Sequence, residues 1–155
     1  MCRLRLRIDH GSWILPDQVL AVGYPRTDAA LAWLADVGIK VVVNLHERAH
    51  SDEAMARHGL EQVHLPTRDF TPPSPEALRR GVDVIEHTLA KGQRVAVHCG
   101  GGRGRAGTLL ACLFIARGER ADDAIGHVRR LRPGSVETTG QVKAVRAFAD
   151  LVGVR

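Results

Sequence analysis

Two stretches of this chain leave little freedom in the choice of fold. Ile39 to Leu45 and Arg94 to His98 are short, valine-rich and largely apolar. Runs of that kind mark strands covered on both faces, which implies a parallel sheet with helices above and below it. The surrounding pattern agrees. Trp13 to Leu15 and Val19 to Val22 predict two short strands around the Pro16-Asp17 turn. Thr27 to Val37 carries apolar residues at helical spacing, with Thr27 as N-cap and Gly38 as stop. A short helix is expected over Asp52 to His58, ending at Gly59, and a strand over Leu60 to Leu65. Ser74-Pro75-Glu76 reads as a helix start, with Ser at the cap, Pro at the first helical position and an acid in the first turn. That helix runs to about Lys91 and stops at Gly92. Three more helices are expected, over Arg105 to Arg117, Ala121 to Leu131 and Thr138 to Val152. The expectation is a single α/β domain over residues 1–155, a central, mainly parallel sheet flanked by helices. Ligands of such sheets bind beyond the carboxyl ends of the strands.

Composition narrows the function classes. A chain of 155 residues buries a core without disulfide staples. Its three cysteines, Cys2, Cys99 and Cys112, show no metal-type spacing and fit a reducing cytoplasm. The start, Met1 to Ile8, lacks the apolar stretch of a signal peptide, and no run has membrane-spanning length. Arg3, Arg5 and Arg7 alternate with Leu4, Leu6 and Ile8, the period of a half-buried edge strand. The net charge of +5 has two readings, attraction of anionic substrates or simply solvated arginines. Aromatics at 4% provide few stacking platforms, so no stable nucleic acid partner is expected.

The chemistry concentrates in Val95-Ala96-Val97-His98-Cys99-Gly100-Gly101-Gly102-Arg103-Gly104-Arg105-Ala106-Gly107-Thr108. This is a buried strand, a glycine-rich loop and a helix start. Glycines let backbone amides approach an anion, and the helix adds its own N-terminal amides and dipole. Gly100, Gly101, Gly102, Arg103, Gly104 and Arg105 thus form a candidate phosphate cradle. The guanidinium of Arg105 can grip two phosphate oxygens at once. The same positive field favours a thiolate at Cys99, the form that attacks phosphorus to give a phosphocysteine. His98, at the strand end, can hydrogen-bond local backbone and hold the loop. A leaving oxygen needs a proton, and Asp69 stands in a proline-punctuated loop, Pro66 to Pro73, between a strand and the next helix. By position alone Asp69 is equally a general acid and a solvated turn residue.

His98-Cys99-(x)2-Gly102-(x)2-Arg105 resembles the signature of the cysteine-dependent protein tyrosine phosphatase superfamily. The wider match is similar to the small atypical dual-specificity phosphatases and spans nearly the whole chain. Ser12-Trp13-Ile14-Leu15-Pro16 resembles their opening strand, and Asn44-Leu45-His46-Glu47-Arg48 the stretch after their buried strand. Asp69-Phe70-Thr71-Pro72-Pro73 resembles their general-acid loop, and Leu131 to Thr138 with Gln141 their C-terminal segment. The resemblance implies Cys99 as nucleophile, Arg105 as phosphate clamp and Asp69 as general acid. It places Glu137 and Gln141 near the site mouth, where either could orient water; otherwise they are a helix-start acid and an exposed amide.

One residue departs from the pattern. The family usually has Ser or Thr after the arginine, donating to sulfur during breakdown of the phosphocysteine; here it is Ala106. The expectation is a slowed second step, or another donor, with Thr108 nearby. Arg103 either draws acidic substrates or faces solvent. His46, Glu47 and His50 lack the further ligands of a metal site, and Cys112 lies in an apolar run as core packing. Arg129, Arg130 and Arg132 read as a solvated helix end. The resulting expectation is a phosphatase of phosphorylated proteins or peptides that needs no metal or cofactor. Phosphoinositides, RNA ends and a phosphate-binding module with little turnover remain as alternatives.

Overall fold

A computed structural model describes residues 9–154. The alternating arginines at the start of the chain lie outside the described residues. The elements are β1 (Ser12–Leu15), β2 (Val19–Val22), α1 (Asp28–Asp36), β3 (Ile39–Asn44), α2 (Asp52–Arg57), β4 (Glu61–His64), α3 (Pro75–Ala90), β5 (Arg94–His98), α4 (Arg105–Ala116), α5 (Ala121–Leu131) and α6 (Thr139–Val152). They form a five-stranded sheet in the order β1-β2-β5-β3-β4. β1 pairs antiparallel with β2, and the other pairings are parallel. No helix among the described residues is long and apolar enough to cross a membrane.

Local chemistry sets the helix starts. The side chains of Thr27, Ser51, Ser74 and Thr138 accept amide hydrogen bonds from Ala30, Ala54, Ala77 and Gln141. Each satisfies an amide that the first turn leaves without a partner. α4 is capped by Gly104 and has no side-chain cap bond.

The sheet divides two apolar layers. On one face Leu20, Val22, Val42 and Ala96 pack against Leu31 and Leu34 of α1 and Met55 of α2. On the other, Val19, Ala21, Val43, Val95 and Val97 meet α3, α4, α5 and α6. α4 is buried from Arg105 to Ile115, which is why its sequence is apolar nearly all round. α3 approaches it closely: a Cβ on Gly81 would stand 2.6 Å from Cδ1 of Leu109.

Strand register positions the site. Val22 pairs with His98, His98 with Asn44, and Asn44 with His64, so all four lie on one line across the carboxyl edge of the sheet. The segments that follow these residues therefore emerge side by side. One is the glycine loop; another carries Asp69.

Candidate active site

The loop from Cys99 to Gly104 has every carbonyl held from outside. His98 Nδ1 donates to the Cys99 carbonyl at 3.1 Å, and the Tyr24 amide to that of Gly100 at 2.8 Å. Arg132 Nη2 donates to Gly101 at 3.0 Å, and Arg132 Nε to Gly102 at 2.9 Å. The amides of Val136 and Gly107 hold the Arg103 carbonyl, each at 3.0 Å. The amide and hydroxyl of Thr108 hold that of Gly104, at 3.0 and 2.7 Å. In a trans peptide the N–H opposes the C=O, and no peptide here is cis. Pinning these carbonyls outward turns the amides of Gly100 to Arg105 the other way. Gly102 alone among the loop's glycines needs a left-handed backbone, at φ 72°, and a Cβ there would strike the Val22 carbonyl.

Arg105 lies across this cradle, 2% exposed. Its Nη1 donates to the Thr67 carbonyl at 2.7 Å and to Glu47 Oε1 at 3.0 Å. Nη2 lies 3.2 Å from Asp69 Oδ1. Among the described residues, Nε of Arg105 is the buried side-chain polar atom without a partner. Glu47 also accepts the Asp69 amide at 3.1 Å, so one carboxylate ties the acid-bearing loop to the guanidinium. Asp69 itself is exposed and accepts from the Phe70 amide at 2.9 Å. Phe70 has φ 60°, and on the far side Val136 has φ 57°. Left-handed backbone at such residues costs about 1–3 kcal/mol each and tends to occur at functional sites.

Cys99 is buried at the base of the cradle, in the core cluster with Ala106. His98, behind it, is fully buried, and burial holds its pKa down at about 3. His98 Nε2 meets His50 Nε2 at 2.9 Å. The ring of Tyr24 packs edge-on to His98 and tilted against His50, with centroids 5.0 and 4.8 Å away.

Residues 9–145 match the family model described as "PTP-SAK: Swiss Army Knife protein, DSP-PTPase phosphatase domain". The chain belongs to this family. The DSP-PTPase domain is 32% identical to the mouse protein named "Protein tyrosine phosphatase domain-containing protein 1", over 92% of this chain and 22% of the relative. It is 31% identical to "Tyrosine-protein phosphatase cdc-14" of Caenorhabditis elegans, over 84% of this chain and 20% of the relative. The chain thus spans about a fifth of the length of the curated relatives it matches. Among solved structures, the active form of Tk-PTP superposes with a TM-score of 0.80 at 33% identity, covering 86% of this chain and 92% of that one.

The domain brings together the residues singled out from sequence, with corrections around them. Arg132 is no solvated helix end: it is 3% exposed, and besides its two loop carbonyls it pairs with Asp9 at 2.8 Å and donates to Ser12 Oγ at 3.2 Å. Arg129 and Arg130 are exposed, as expected, although the Arg129 guanidinium also donates to the carbonyls of Ser135 and Val136. Gln141 is buried rather than exposed. Its Oε1 accepts the amides of Glu137 and Thr138, and its Nε2 reaches the Thr71 carbonyl at 3.3 Å. Glu137 stays exposed, with Oε1 placed 2.9 Å from where a Gly104 Cβ would be. The Thr108 hydroxyl is engaged by Gly104 and does not supply the donor missing at Ala106. His46, Glu47 and His50 are used separately: His46 Nδ1 accepts the Arg48 amide, Glu47 holds Arg105, and His50 meets His98. Glu47 and Arg132 are the residues that sequence reasoning missed. Each lies within a segment that resembles the family, Glu47 in Asn44 to Arg48 and Arg132 in Leu131 to Thr138, but nothing local says which partner a charge will find.

Proposed function

We propose that this domain hydrolyses phosphate monoesters on proteins, phosphotyrosine first and phosphoserine or phosphothreonine also, through a phosphocysteine at Cys99. The observation that carries this reading is the outward pinning of every carbonyl from Cys99 to Gly104, which dedicates the opposing amides to an anion. Arg105 completes the cradle with its unpartnered Nε. The names of the relatives, a tyrosine-protein phosphatase among them, support the substrate class.

In this mechanism phosphate oxygens accept from the loop amides and from Arg105 Nε and Nη2, displacing Asp69 from the guanidinium. Cys99 Sγ attacks phosphorus in line, a P–S bond forms and the P–O ester bond breaks. Asp69 gives its proton to the leaving oxygen. Water then attacks phosphorus, Asp69 takes the water's proton, the P–S bond breaks and phosphate leaves. The positions of Arg26 and Arg103 support anionic residues flanking the phosphate. Both line a cavity of about 300 Å³ that borders Gly100 and Gly101 and neither forms an ion pair among the described residues, although Arg103 Nε and Nη1 donate to the carbonyls of Pro133 and Gly101.

The test is p-nitrophenyl phosphate turnover with EDTA, followed by a phosphopeptide panel, for wild type and Cys99→Ser. Turnover lost in Cys99→Ser, with phosphopeptide binding retained, is the expected result; turnover that survives overturns the mechanism. A second reading, a phosphopeptide-binding module with little turnover, rests on the engaged Thr108 hydroxyl beside Ala106. Phosphopeptide binding by a wild type without measurable hydrolysis would select it.

A further inference from the structure

The loop after β3 does more than orient Arg105. It also carries His50, a buried residue whose ring meets that of His98. The buried side chain of Asn44 and the half-buried one of Gln62 hold this loop in place. Asn44 Nδ2 donates to the Arg48 carbonyl at 2.9 Å and to Gln62 Oε1 at 3.0 Å, and Asn44 Oδ1 accepts the His46 amide at 2.8 Å. Gln62 accepts the His50 amide at 2.9 Å and donates to the His50 carbonyl at 3.1 Å. His50 therefore has a defined place.

The protons of the two rings follow from their partners. A carbonyl only accepts, so His98 Nδ1, 3.1 Å from the Cys99 carbonyl, carries its proton. A buried, neutral imidazole then offers a lone pair at Nε2. The group facing it at 2.9 Å is His50 Nε2, which must donate. We propose that His50 is a positioning residue for the nucleophile: its Nε2–H selects the His98 tautomer that holds the Cys99 carbonyl outward. Pinning that carbonyl fixes the Cys99–Gly100 peptide, and with it the first amide of the cradle.

With methionine at position 50, the His98 Nε2 lone pair is left buried without a donor, and a thioether sulfur can only accept, so the tautomer with its proton on Nε2 competes with the one that serves the Cys99 carbonyl. In that competing tautomer a bare Nδ1 faces the Cys99 carbonyl, acceptor against acceptor. The peptide plane loses its anchor, and the Gly100 amide loses its aim. Tyr24, with its ring against both imidazoles, shields the pair from water that could replace the donor. The other histidines near the pair are engaged elsewhere. His64 Nε2 donates to the His46 carbonyl at 2.7 Å, and His46 Nδ1 accepts the Arg48 amide at 3.0 Å.

This inference rests on the phosphatase reading for its kinetic consequence, but the tautomer can be read without turnover. Long-range ¹⁵N–¹H spectra of the full wild-type chain should show His98 protonated at Nδ1 and His50 at Nε2. His98 found protonated at Nε2 overturns the proposal even if the enzyme is active. His50→Met keeps comparable volume but donates nothing, whereas the amide of His50→Gln can donate from nearly the same place. For p-nitrophenyl phosphate, kcat/KM should fall at least tenfold in His50→Met and recover to within about threefold of wild type in His50→Gln. Phosphate-protected alkylation of Cys99 by iodoacetate should slow in parallel, which gives a readout even if wild-type turnover is absent. A folded His50→Met with kcat/KM and alkylation rate within twofold of wild type overturns the proposal, as does a folded His50→Gln as impaired as His50→Met. Should His50→Met not fold, the wild-type spectrum and His50→Gln decide.

Discussion

Asp69 Oδ1 stands 3.2 Å from Nη2 of Arg105, so the proposed acid and the proposed phosphate clamp hold one another across the cradle. A phosphate that takes Nη2 displaces the carboxylate toward the leaving group. Binding and acid delivery are thereby coupled through one guanidinium. Asp69→Asn should lower kcat for a phosphotyrosine peptide about 100-fold, within the usual range for losing a general acid. Inhibition by inorganic phosphate should be at least as strong as in wild type, because the competing carboxylate is gone. Steady-state kinetics and product inhibition check both, and an unchanged kcat removes Asp69 from the mechanism.

Ala106 leaves the sulfur without the hydroxyl that a serine would bring, and Thr108 donates to Gly104 instead. Breakdown of the phosphocysteine should therefore limit turnover, and rapid mixing should show a burst of p-nitrophenol. Ala106→Ser should shrink the burst and raise kcat several-fold. Its kcat/KM should stay the same, since that ratio reports only steps up to the first irreversible one. No burst in wild type, or no gain in kcat, speaks against a slow second step.

Arg132 holds two loop carbonyls while paired to Asp9, which in turn accepts the amides of Gly11 and Gly23 at 2.7 and 2.6 Å. An ammonium cannot reproduce that planar fork. Arg132→Lys should raise the inhibition constant for inorganic phosphate about tenfold and lower the melting temperature. Asp9→Asn, which keeps one acceptor oxygen, should do less. Equal phosphate affinity in wild type and Arg132→Lys would show that the cradle is held by other means.

The buried histidines predict an acid-sensitive fold. Burial holds His98 at about 3 and lowers His50 and His46 as well. An unfolded histidine titrates near 6.5, so between about pH 6.5 and 3 the unfolded chain binds a proton that folded His98 refuses. Stability should therefore fall as pH drops through that window, by about 1.4 kcal/mol per pH unit for His98 alone. Urea unfolding at pH 7, 6 and 5 measures the slope, and His98→Asn should flatten it. Stability that holds or rises from pH 7 to 5 contradicts this account.

Much of the architecture was legible because its causes are local. The valine runs of β3 and β5, the Ser74-Pro75 start of α3 and the Thr27 cap each act over a few residues. Cys99 and Arg105 were legible for the same reason: a loop of fixed length brings them together. Asp69 was visible as a carboxylate in a loop, but its approach to Arg105 was not. Arg132 was misread because a basic residue at a helix end looks the same whether it faces water or a bed of carbonyls.

By its spacing and patterning, the chain alone determined a mainly parallel sheet and a glycine loop with Cys99 at one end and Arg105 at the other. Long-range partners were decided only when the strands came into register and aligned Val22, His98, Asn44 and His64 at one edge. Glu47 reaches Arg105 across 58 residues of sequence, and Arg132 reaches Asp9 across 123. Hydrogen bonds and ion pairs act over about 3 Å, so which of many charged or polar side chains meet depends on packing. No local spacing encodes it.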